Sequence, residues 1–211
     1  LQAIEKPEPH GDQILVRVNA ASVNPLDWHY MRGKPYFIRL ISGLGAPNYT
    51  RLGTDFSGTV EALGPDVTRF RVGDEVFGGG WGAFAQYLTI SESKAVALKP
   101  PNVSFEQAAS VGIAGVTALQ ALRDIGALQP GQRVLINGAS GGVGTFAVQM
   151  AKAMGAEVTG VCSTRNIERV VSLGADHVVD YTRESYLEQG HSFDLIIDNV
   201  GNHSPLENRG L

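Results

Sequence analysis

A glycine-rich turn in the second half of this chain has the residue types that bind a dinucleotide. The sequence there reads Arg133-Val-Leu-Ile-Asn-Gly-Ala-Ser-Gly-Gly-Val-Gly144, followed by an alanine-rich helix and then by Ala156-Glu-Val-Thr-Gly-Val-Cys-Ser163. Strand, glycine turn, helix and second strand are the order that a dinucleotide-binding βαβ unit requires. Glycines let backbone N–H groups approach a pyrophosphate, and the helix N-terminus adds partial positive charge.

Six residues of this turn are the predicted cofactor contacts. They are Ala139, Ser140, Gly141, Gly142, Val143 and Gly144, with Ala139 in the first glycine position of the usual G-x-G-x-x-G. The alternative interpretation is a glycine-rich turn in an α/β fold that binds nothing.

The end of the second strand indicates which dinucleotide would bind. An NAD-binding unit places Asp or Glu there to hold the ribose 2′-hydroxyl. This chain instead has Ser163, Thr164 and Arg165, with no carboxylate until Glu168. Two hydroxyls and a guanidinium would bind a 2′-phosphate that a carboxylate would repel, which predicts an NADPH site. The alternative is a helix cap followed by a solvated arginine, and Thr164 could serve as both cap and phosphate ligand.

Length and composition exclude several classes of protein. The 211 residues suffice for one large domain or two small ones, and 43% hydrophobic with 18% charged residues argues against disorder. A net charge of −4 without a basic run gives no indication of nucleic-acid binding. The uncharged run from Val134 to Ala151 contains glycines and polar residues, which argues against a membrane span.

The single cysteine, Cys162, excludes an internal disulfide framework and a cysteine-rich zinc site. A reducing, cytoplasmic setting is therefore the prediction, and Cys162 itself is expected to be a buried strand residue. No secretory signal is visible at Leu1-Gln-Ala-Ile, and the missing initiator Met suggests that the natural start has been trimmed.

The first hundred residues are expected to form short strands separated by turns. Ile14, Val16 and Val18 alternate at period two, and further strands are predicted over residues 56–63, along the stretch from Val67 into Val72-Gly-Asp-Glu-Val-Phe-Gly78, and over residues 83–90. The tract from Gly33 to Asn48 is less regular and is expected to be a loop with one short helix. This part of the chain is predicted to be a compact β-rich domain or partial barrel.

The rhythm changes after Lys99-Pro-Pro-Asn. Ser104 and Gln107 form a predicted capping box, and strands then alternate with helices, which implies a parallel, doubly wound sheet. Thr164 is expected to cap the helix that follows the strand ending near Ser163. The chain stops at Gly210-Leu211, soon after the fourth predicted strand, so the sheet is expected to be incomplete and the chain a fragment.

Six motifs then occur in one order. They are Asn24-Pro-Leu-Asp27, Gly53-Thr-Asp-Phe-Ser-Gly58, Val72-Gly-Asp-Glu-Val-Phe77, Gly115-Val-Thr-Ala118, Gly138-Ala-Ser-Gly-Gly-Val-Gly144 and Asp198-Asn-Val-Gly201. Over nearly its whole length the chain thus resembles the medium-chain dehydrogenase/reductase superfamily, specifically its zinc-independent quinone oxidoreductase branch. The resemblance implies an α/β protein with a GroES-like catalytic domain over residues 1–103. A C-terminally incomplete Rossmann NADP-binding domain over residues 104–211 would follow, with the active site in the cleft between the two.

The resemblance also bears on whether the site binds a zinc ion. Zinc alcohol dehydrogenases of the superfamily bind catalytic zinc through Cys and His, where this chain has Asn24 and Thr54, with Asp55 in place of a nearby Glu. Asn and Thr are poor zinc ligands, and the five histidines show no metal-binding spacing, so a zinc-free site is predicted. Without a Lewis acid, the expected reaction is hydride transfer from NADPH to a quinone or to the β-carbon of an enone.

By the same resemblance, Asn24 and Thr54 would line the nicotinamide and substrate cleft, with Thr117 near the nicotinamide. The backbone of Asn199, Val200 and Gly201 would flank the nicotinamide, and Tyr181 would contact the adenine or the 2′-phosphate. His29 or Tyr30 could donate a proton, the alternatives being an exposed helix residue and a core aromatic. Asp27 is expected to cap local backbone.

Three other functions stay open at this point. Related domains of polyketide and fatty acid synthases make an enoyl-thioester reductase one alternative. A non-catalytic NADPH-binding protein is the second, and a zinc-type alcohol dehydrogenase with atypical ligands is the third. The expected partner is a small quinone or enone, whose identity would depend on loops such as Gly33 to Asn48, and no oligomeric state is implied.

Overall fold

The computed structural model describes residues 3–43, 51–188, 190 and 192–209. They belong to two compact units, residues 1–113 and 114–211. Residues 44–48 of the irregular tract, His191 and the two terminal residues Gly210 and Leu211 lie outside the described part, together with the expectations attached to them.

The first unit is built on an antiparallel sheet of five strands. These are β1 (Gln13–Ser22), β2 (Asp55–Leu63), β3 (Glu75–Gly79), β4 (Tyr87–Ser91) and β5 (Val96–Leu98), in the spatial order β4-β1-β2-β3-β5. Ile14 and Val16 of β1 lie opposite β2 on one side and β4 on the other, and both are fully buried. The period-two pattern therefore gave the buried face correctly, and the predicted β-rich domain is confirmed.

Among the residues that the structure describes, three helices lie in this unit and a fourth begins there. They are α1 (Pro25–Arg32), α2 (Ile38–Ser42), α3 (Phe105–Ala109) and α4 (Gly112–Leu119). The capping box of Ser104 and Gln107 forms as predicted and starts α3, which packs on β1 and β2. The short helix expected between Gly33 and Asn48 is α2.

The predicted strand over residues 83–90 is shorter in the structure. The N–H groups of Ala83 and Phe84 donate to the carbonyls of Gly53 and Leu52, each at 3.1 Å, so this stretch forms a turn. The strand β4 begins only at Tyr87. Alternating side chains suit a turn as well as a strand, and here backbone hydrogen bonds to the distant residues Leu52 and Gly53 decide.

The second unit is built on a parallel sheet. Its strands are β6 (Arg133–Asn137), β7 (Glu157–Cys162), β8 (His177–Asp180) and β9 (Leu195–Asp198), in the order β8-β7-β6-β9. The helices are α5 (Gly142–Ala153), α6 (Ile167–Ser172) and α7 (Pro205–Asn208). The alanine-rich helix predicted after the glycine turn is α5, whose apolar residues pack into the core between this helix and the sheet, and Cys162 is buried there. Alternating strands and helices therefore produce the predicted parallel sheet.

Two features were not predicted correctly: the start of α6 and the form of the chain after α4. Thr164 does not cap α6: Ser163 precedes a single 3₁₀ turn, Thr164–Asn166, and α6 starts after Asn166. The chain after α4 continues as a π-helical turn, Gln120–Ile125, which the sequence pattern gave no sign of. No helix in the part of the chain that the structure describes is both long and apolar enough to cross a membrane.

Candidate functional site

The glycine turn joins β6 to α5 as predicted. Gly138 has a φ of +77°, and the N–H groups of Gly138 and Ala139 donate to the carbonyl of Val161 on β7 at 3.1 and 3.0 Å. The first turn of α5 leaves the N–H groups of Gly142, Val143 and Gly144 without acceptors inside the helix. Such N–H groups at a helix N-terminus are suited to a pyrophosphate.

Ala139 occupies the position that is usually glycine, and the neighbouring strand explains how it fits. Ala139 is fully buried, and Gly160 on β7 lies against it. A Cβ at Gly160 would lie 3.0 Å from the Cβ of Ala139 and 2.6 Å from Cγ1 of Val170. The missing side chain at Gly160 thus makes room for the extra methyl group at Ala139.

Two of the predicted cofactor contacts, Ser140 of the glycine turn and Ser163, meet at the end of β7. The side-chain amide nitrogen of Asn166 donates to Oγ of Ser140 at 3.1 Å and to Oγ of Ser163 at 3.2 Å. Arg165 is exposed on the same turn, and the ring of Tyr181 is 60% exposed at the end of β8. Sequence reasoning missed Asn166, because nothing in the pattern indicates that its amide would join the two serines.

Thr164 has a different partner. Its hydroxyl donates to the carboxylate of Asp180, which also accepts the N–H of Thr182 at 3.0 Å and its hydroxyl at 2.7 Å. These hydrogen bonds, that from Thr164 foremost, hold the pKa of Asp180 below its usual range. The sequence showed no carboxylate before Glu168 along the chain, yet β8 pairs with β7 and brings Asp180 beside Cys162. To bind a phosphate, the Thr164 hydroxyl would have to leave this carboxylate.

The loop after β9 is held by Asp198. Its Oδ1 accepts the N–H groups of Val200 at 3.0 Å and Gly201 at 2.9 Å, and the side-chain amide of Asn137 at 2.9 Å. Burial opposes ionisation of this carboxyl, but the N–H groups of Gly201 and Val200 outweigh it and lower the pKa of Asp198. Since these N–H groups are occupied, the loop offers a cofactor chiefly its carbonyl groups. Thr117 is exposed on α4.

Replacing Asp198 with alanine is expected to lower the free energy of unfolding by about 1–3 kcal/mol at neutral pH, because two backbone donors and an amide lose their acceptor. A carboxyl whose pKa is depressed by folding stabilises above its unfolded pKa, and that contribution is lost as the pH falls through the folded value. The difference between wild type and variant should therefore shrink in acid. Urea unfolding at neutral and acid pH measures it.

A suitable control for this prediction is Asp194→Ala, at the other end of β9. From the described residues, Asp194 accepts one backbone N–H, that of Arg133 at 2.8 Å. A loss as large as that of Asp198→Ala would contradict the role of the Asp198 loop.

The first unit holds a buried polar cluster of Asn24, Asp27, Thr54 and Asp55. The Asn24 amide donates to Oδ2 of Asp55 at 3.0 Å and lies 3.4 Å from Oγ1 of Thr54. Thr54 donates to Oδ1 of Asp27 at 3.3 Å. The structure therefore brings Asn24 and Thr54 together, and two carboxylates hold their polar groups in place.

Each carboxylate of the cluster also binds backbone. Asp27 accepts the N–H of Asn24 at 2.7 Å at the start of α1, so its predicted capping role is confirmed. Asp55 accepts the N–H of Ile113 on both oxygens at 3.0 Å and the hydroxyl of Ser22 at 3.2 Å. Burial nevertheless raises the pKa of Asp55 above its usual range.

The donor set of this cluster fits zinc poorly. Amide and hydroxyl groups are weak zinc ligands, and the two carboxylates are engaged with N–H, amide and hydroxyl donors. Within the described ranges, no three or more His, Cys, Asp or Glu side chains converge as they would around a metal ion. A zinc-free site stays a prediction.

The two candidate proton donors lie on α1. His29 stacks on Trp28 with ring centroids 4.0 Å apart, and its Nδ1 lies 2.6 Å from the carbonyl oxygen of Lys34. Tyr30 packs edge-to-face on Trp81 at 4.6 Å. Both rings thus have local packing roles, and proton donation by either stays a prediction.

Comparison with known proteins gives two family matches. The alcohol dehydrogenase GroES-like domain matches residues 10–101, and the zinc-binding dehydrogenase domain matches residues 142–209. The mitochondrial NAD(P)H oxidoreductase RTN4IP1 of Homo sapiens is 41% identical over 211 residues, covering 90% of this chain and 52% of that protein. The trans-enoyl reductase pgmF of Aspergillus terreus is 40% identical over 207 residues, covering 90% of this chain and 55% of that protein.

A solved structure gives the same fold. The quinone oxidoreductase of Escherichia coli complexed with NADPH aligns with a TM-score of 0.78 and 28% identity, covering 90% of this chain and 56% of the other. The predicted combination of a GroES-like domain and a Rossmann-type parallel sheet is thus confirmed. The chain spans about half the length of the curated relatives it matches.

Proposed function

This chain belongs to the medium-chain dehydrogenase/reductase superfamily, and from that premise we propose that the complete protein is an NADPH-dependent, zinc-independent oxidoreductase that reduces quinones or α,β-unsaturated carbonyls. The observation that carries the proposal is the meeting of Ser140 and Ser163 on one amide, next to the exposed Arg165. Two hydroxyls and a guanidinium suit a phosphate dianion.

The residues of the second unit fit a dinucleotide. Gly144 has no room for a side chain, because a Cβ there would lie 2.1 Å from the carbonyl oxygen of Gly138. The start of α5 therefore packs close to the turn, which suits the approach of its backbone N–H groups to a pyrophosphate. When bound, NADPH supplies the hydride. In the proposal, Ala139 and the turn residues Gly141 to Gly144 hold the pyrophosphate, with Ser140, Ser163, Thr164, Arg165 and Tyr181 at the adenosine end. Thr117 and the backbone of Asn199, Val200 and Gly201 hold the nicotinamide end.

The residues of the first unit would position the acceptor. Asp55 fixes the orientation of the Asn24 amide, and Asp27 fixes the Thr54 hydroxyl. A polar group whose partners are already in place needs no reorganisation when a carbonyl compound binds, which favours reaction. We assign His29 and Tyr30 as the candidate proton donors to the reduced acceptor, and a reducing compartment such as the cytoplasm as the setting.

An enoyl reductase is the second candidate, favoured by the likeness to a trans-enoyl reductase. Both reactions deliver hydride to an electron-poor acceptor, so they differ in the acceptor. The complete protein should be assayed for NADPH oxidation with quinones, simple enones and crotonyl thioesters. Turnover of quinones or enones supports the first function and turnover of thioesters alone the second, whereas no turnover with any of them would refute both.

The cofactor preference gives a sharper prediction. Titration followed by cofactor fluorescence should show tighter binding of NADPH than of NADH, and Arg165→Ala should weaken NADPH binding by about tenfold, since one charge-assisted contact is lost. The matched control is Arg169→Ala, which removes the same charge from the exposed face of α6. Equal losses in both variants, or equal binding of NADPH and NADH by wild type, would contradict the phosphate assignment.

A further inference from the structure

The side chain of Asn166 links two segments that are far apart in sequence. Ser140 lies in the glycine turn after β6, and Ser163 lies at the end of β7. The backbone N–H of Asn166 donates to the carbonyl of Ser163 at 2.9 Å, which closes the 3₁₀ turn and places its half-buried side chain between the two serines. Its amide nitrogen then serves both hydroxyl oxygens, at 3.1 and 3.2 Å.

The direction of these hydrogen bonds determines what the serines can do. A side-chain amide nitrogen has two hydrogens, so it can donate to both serine oxygens at once. A hydroxyl has one hydrogen and two lone pairs, so an oxygen that accepts from Asn166 keeps its hydrogen for another acceptor. Ser140 and Ser163 are therefore oriented as donors.

We propose, on the basis of the NADPH-dependent function above, that Asn166 is the residue that sets the preference for the 2′-phosphate, by holding the Ser140 and Ser163 hydroxyls as a pair of donors. A phosphate dianion only accepts hydrogen bonds, and it gains from every donor already oriented toward it. A ribose 2′-hydroxyl can both donate and accept, so it depends much less on this orientation. Asn166 acts through the serines and is a positioning residue.

The negative charge of Asp180 makes the orientation of the two serine hydroxyls more important. Thr164 and Thr182 donate to Asp180, so both of these hydroxyl hydrogens are already used. The oriented neutral donors next to Arg165 are then Ser140 and Ser163. A carboxylate in place of the Asn166 amide would accept from both serines and repel the phosphate.

The test is a pair of substitutions, Asn166→Asp and Asn166→Ala, in the complete protein. Asn166→Asp keeps the shape of the side chain, but it accepts hydrogen bonds where the amide donated them, and it adds a negative charge. Asn166→Ala removes the group that orients the two serine hydroxyls and adds no charge. Binding of NADPH, NADH, 2′,5′-ADP and 5′-AMP is measured by fluorescence or competition, which needs no turnover. Asn102→Asp, an exposed position in the first unit, controls for the added charge, and circular dichroism checks folding.

We expect Asn166→Asp to weaken the binding of NADPH and of 2′,5′-ADP by about 10- to 100-fold, as for loss of hydrogen bonds to a charged group. Asn166→Ala should weaken the binding of both by a smaller factor. NADH and 5′-AMP should change by less than about threefold, by the same reasoning. If wild type prefers NADPH but both variants keep that preference, the role of Asn166 is refuted while the proposed function stands. If wild type has no preference, the choice of cofactor and the role of Asn166 are both refuted.

Discussion

Gly144→Ala is expected to abolish binding of NADPH and to lower the free energy of unfolding of the second unit by about 3 kcal/mol or more, as for severe overpacking. An alanine Cβ at this position would lie 2.1 Å from the carbonyl oxygen of Gly138 and 2.7 Å from Cα of Ala139. Both are backbone atoms of the turn, so no side-chain rotation can relieve the contact. The helix α5 would have to move away from β6, and the N–H groups at its start would move with it.

Gly142→Ala, two residues earlier on the same helix, is the matched control for stability. Its Cβ would have an ordinary contact, 3.9 Å from the Cβ of Ala114. Alanine is the better helix former by up to about 1 kcal/mol, so this variant should be as stable as wild type or slightly more stable. Denaturant unfolding compares the two, and similar stability of both variants would show that the turn can adapt.

Asp55→Ala is expected to cost about 3 kcal/mol or more of stability in the first unit, since one buried and two partly buried donors lose their acceptor together. The carboxylate is fully buried and accepts from the backbone of Ile113, the amide of Asn24 and the hydroxyl of Ser22. The Asn24 amide would lose its orientation, so activity should fall as well. Urea unfolding and NADPH oxidation are the measurements.

Asp66→Ala is the control, because Asp66 is exposed in the same unit, and its effect should stay within about 0.5 kcal/mol. The pH dependence is a separate check on Asp55, through the variant Asp55→Asn. Folding raises the pKa of this carboxyl, so its contribution to stability is complete in acid and is lost as the pH rises through the folded value. The advantage of wild type over Asp55→Asn should then be larger in acid than at neutral pH, opposite to the trend at Asp198.

Local pattern was enough to predict most of the fold. The alternation at Ile14 and Val16, the alanine-rich helix α5 and the capping box of Ser104 each depend on residues close in sequence, and each forms as predicted. The order of the six motifs, through the family resemblance, also predicted that a β-rich domain is followed by a parallel sheet. The turn before Tyr87 was missed because its hydrogen bonds go to Leu52 and Gly53, some thirty residues away.

The candidate site depends more on contacts between distant segments. Asp180 was overlooked because it follows Thr164 by 16 residues, yet the pairing of β8 with β7 brings its carboxylate to the threonine hydroxyl. Asn166 likewise meets Ser140 across 26 residues. Residue types along one strand give the chemistry that is available there, but only the sheet order gives the hydrogen-bond partners that orient it.

The burial of Cys162 makes this chain its own reporter of unfolding. It is the single thiol in the sequence, its residue is 1% exposed, and burial raises its pKa, so the folded second unit protects it from alkylating reagents. Modification then requires the core between the sheet and the helices to open. The rate at which a maleimide labels the protein therefore measures how often this core opens, and a ligand that binds at the end of β7 would slow that labelling in proportion to its affinity.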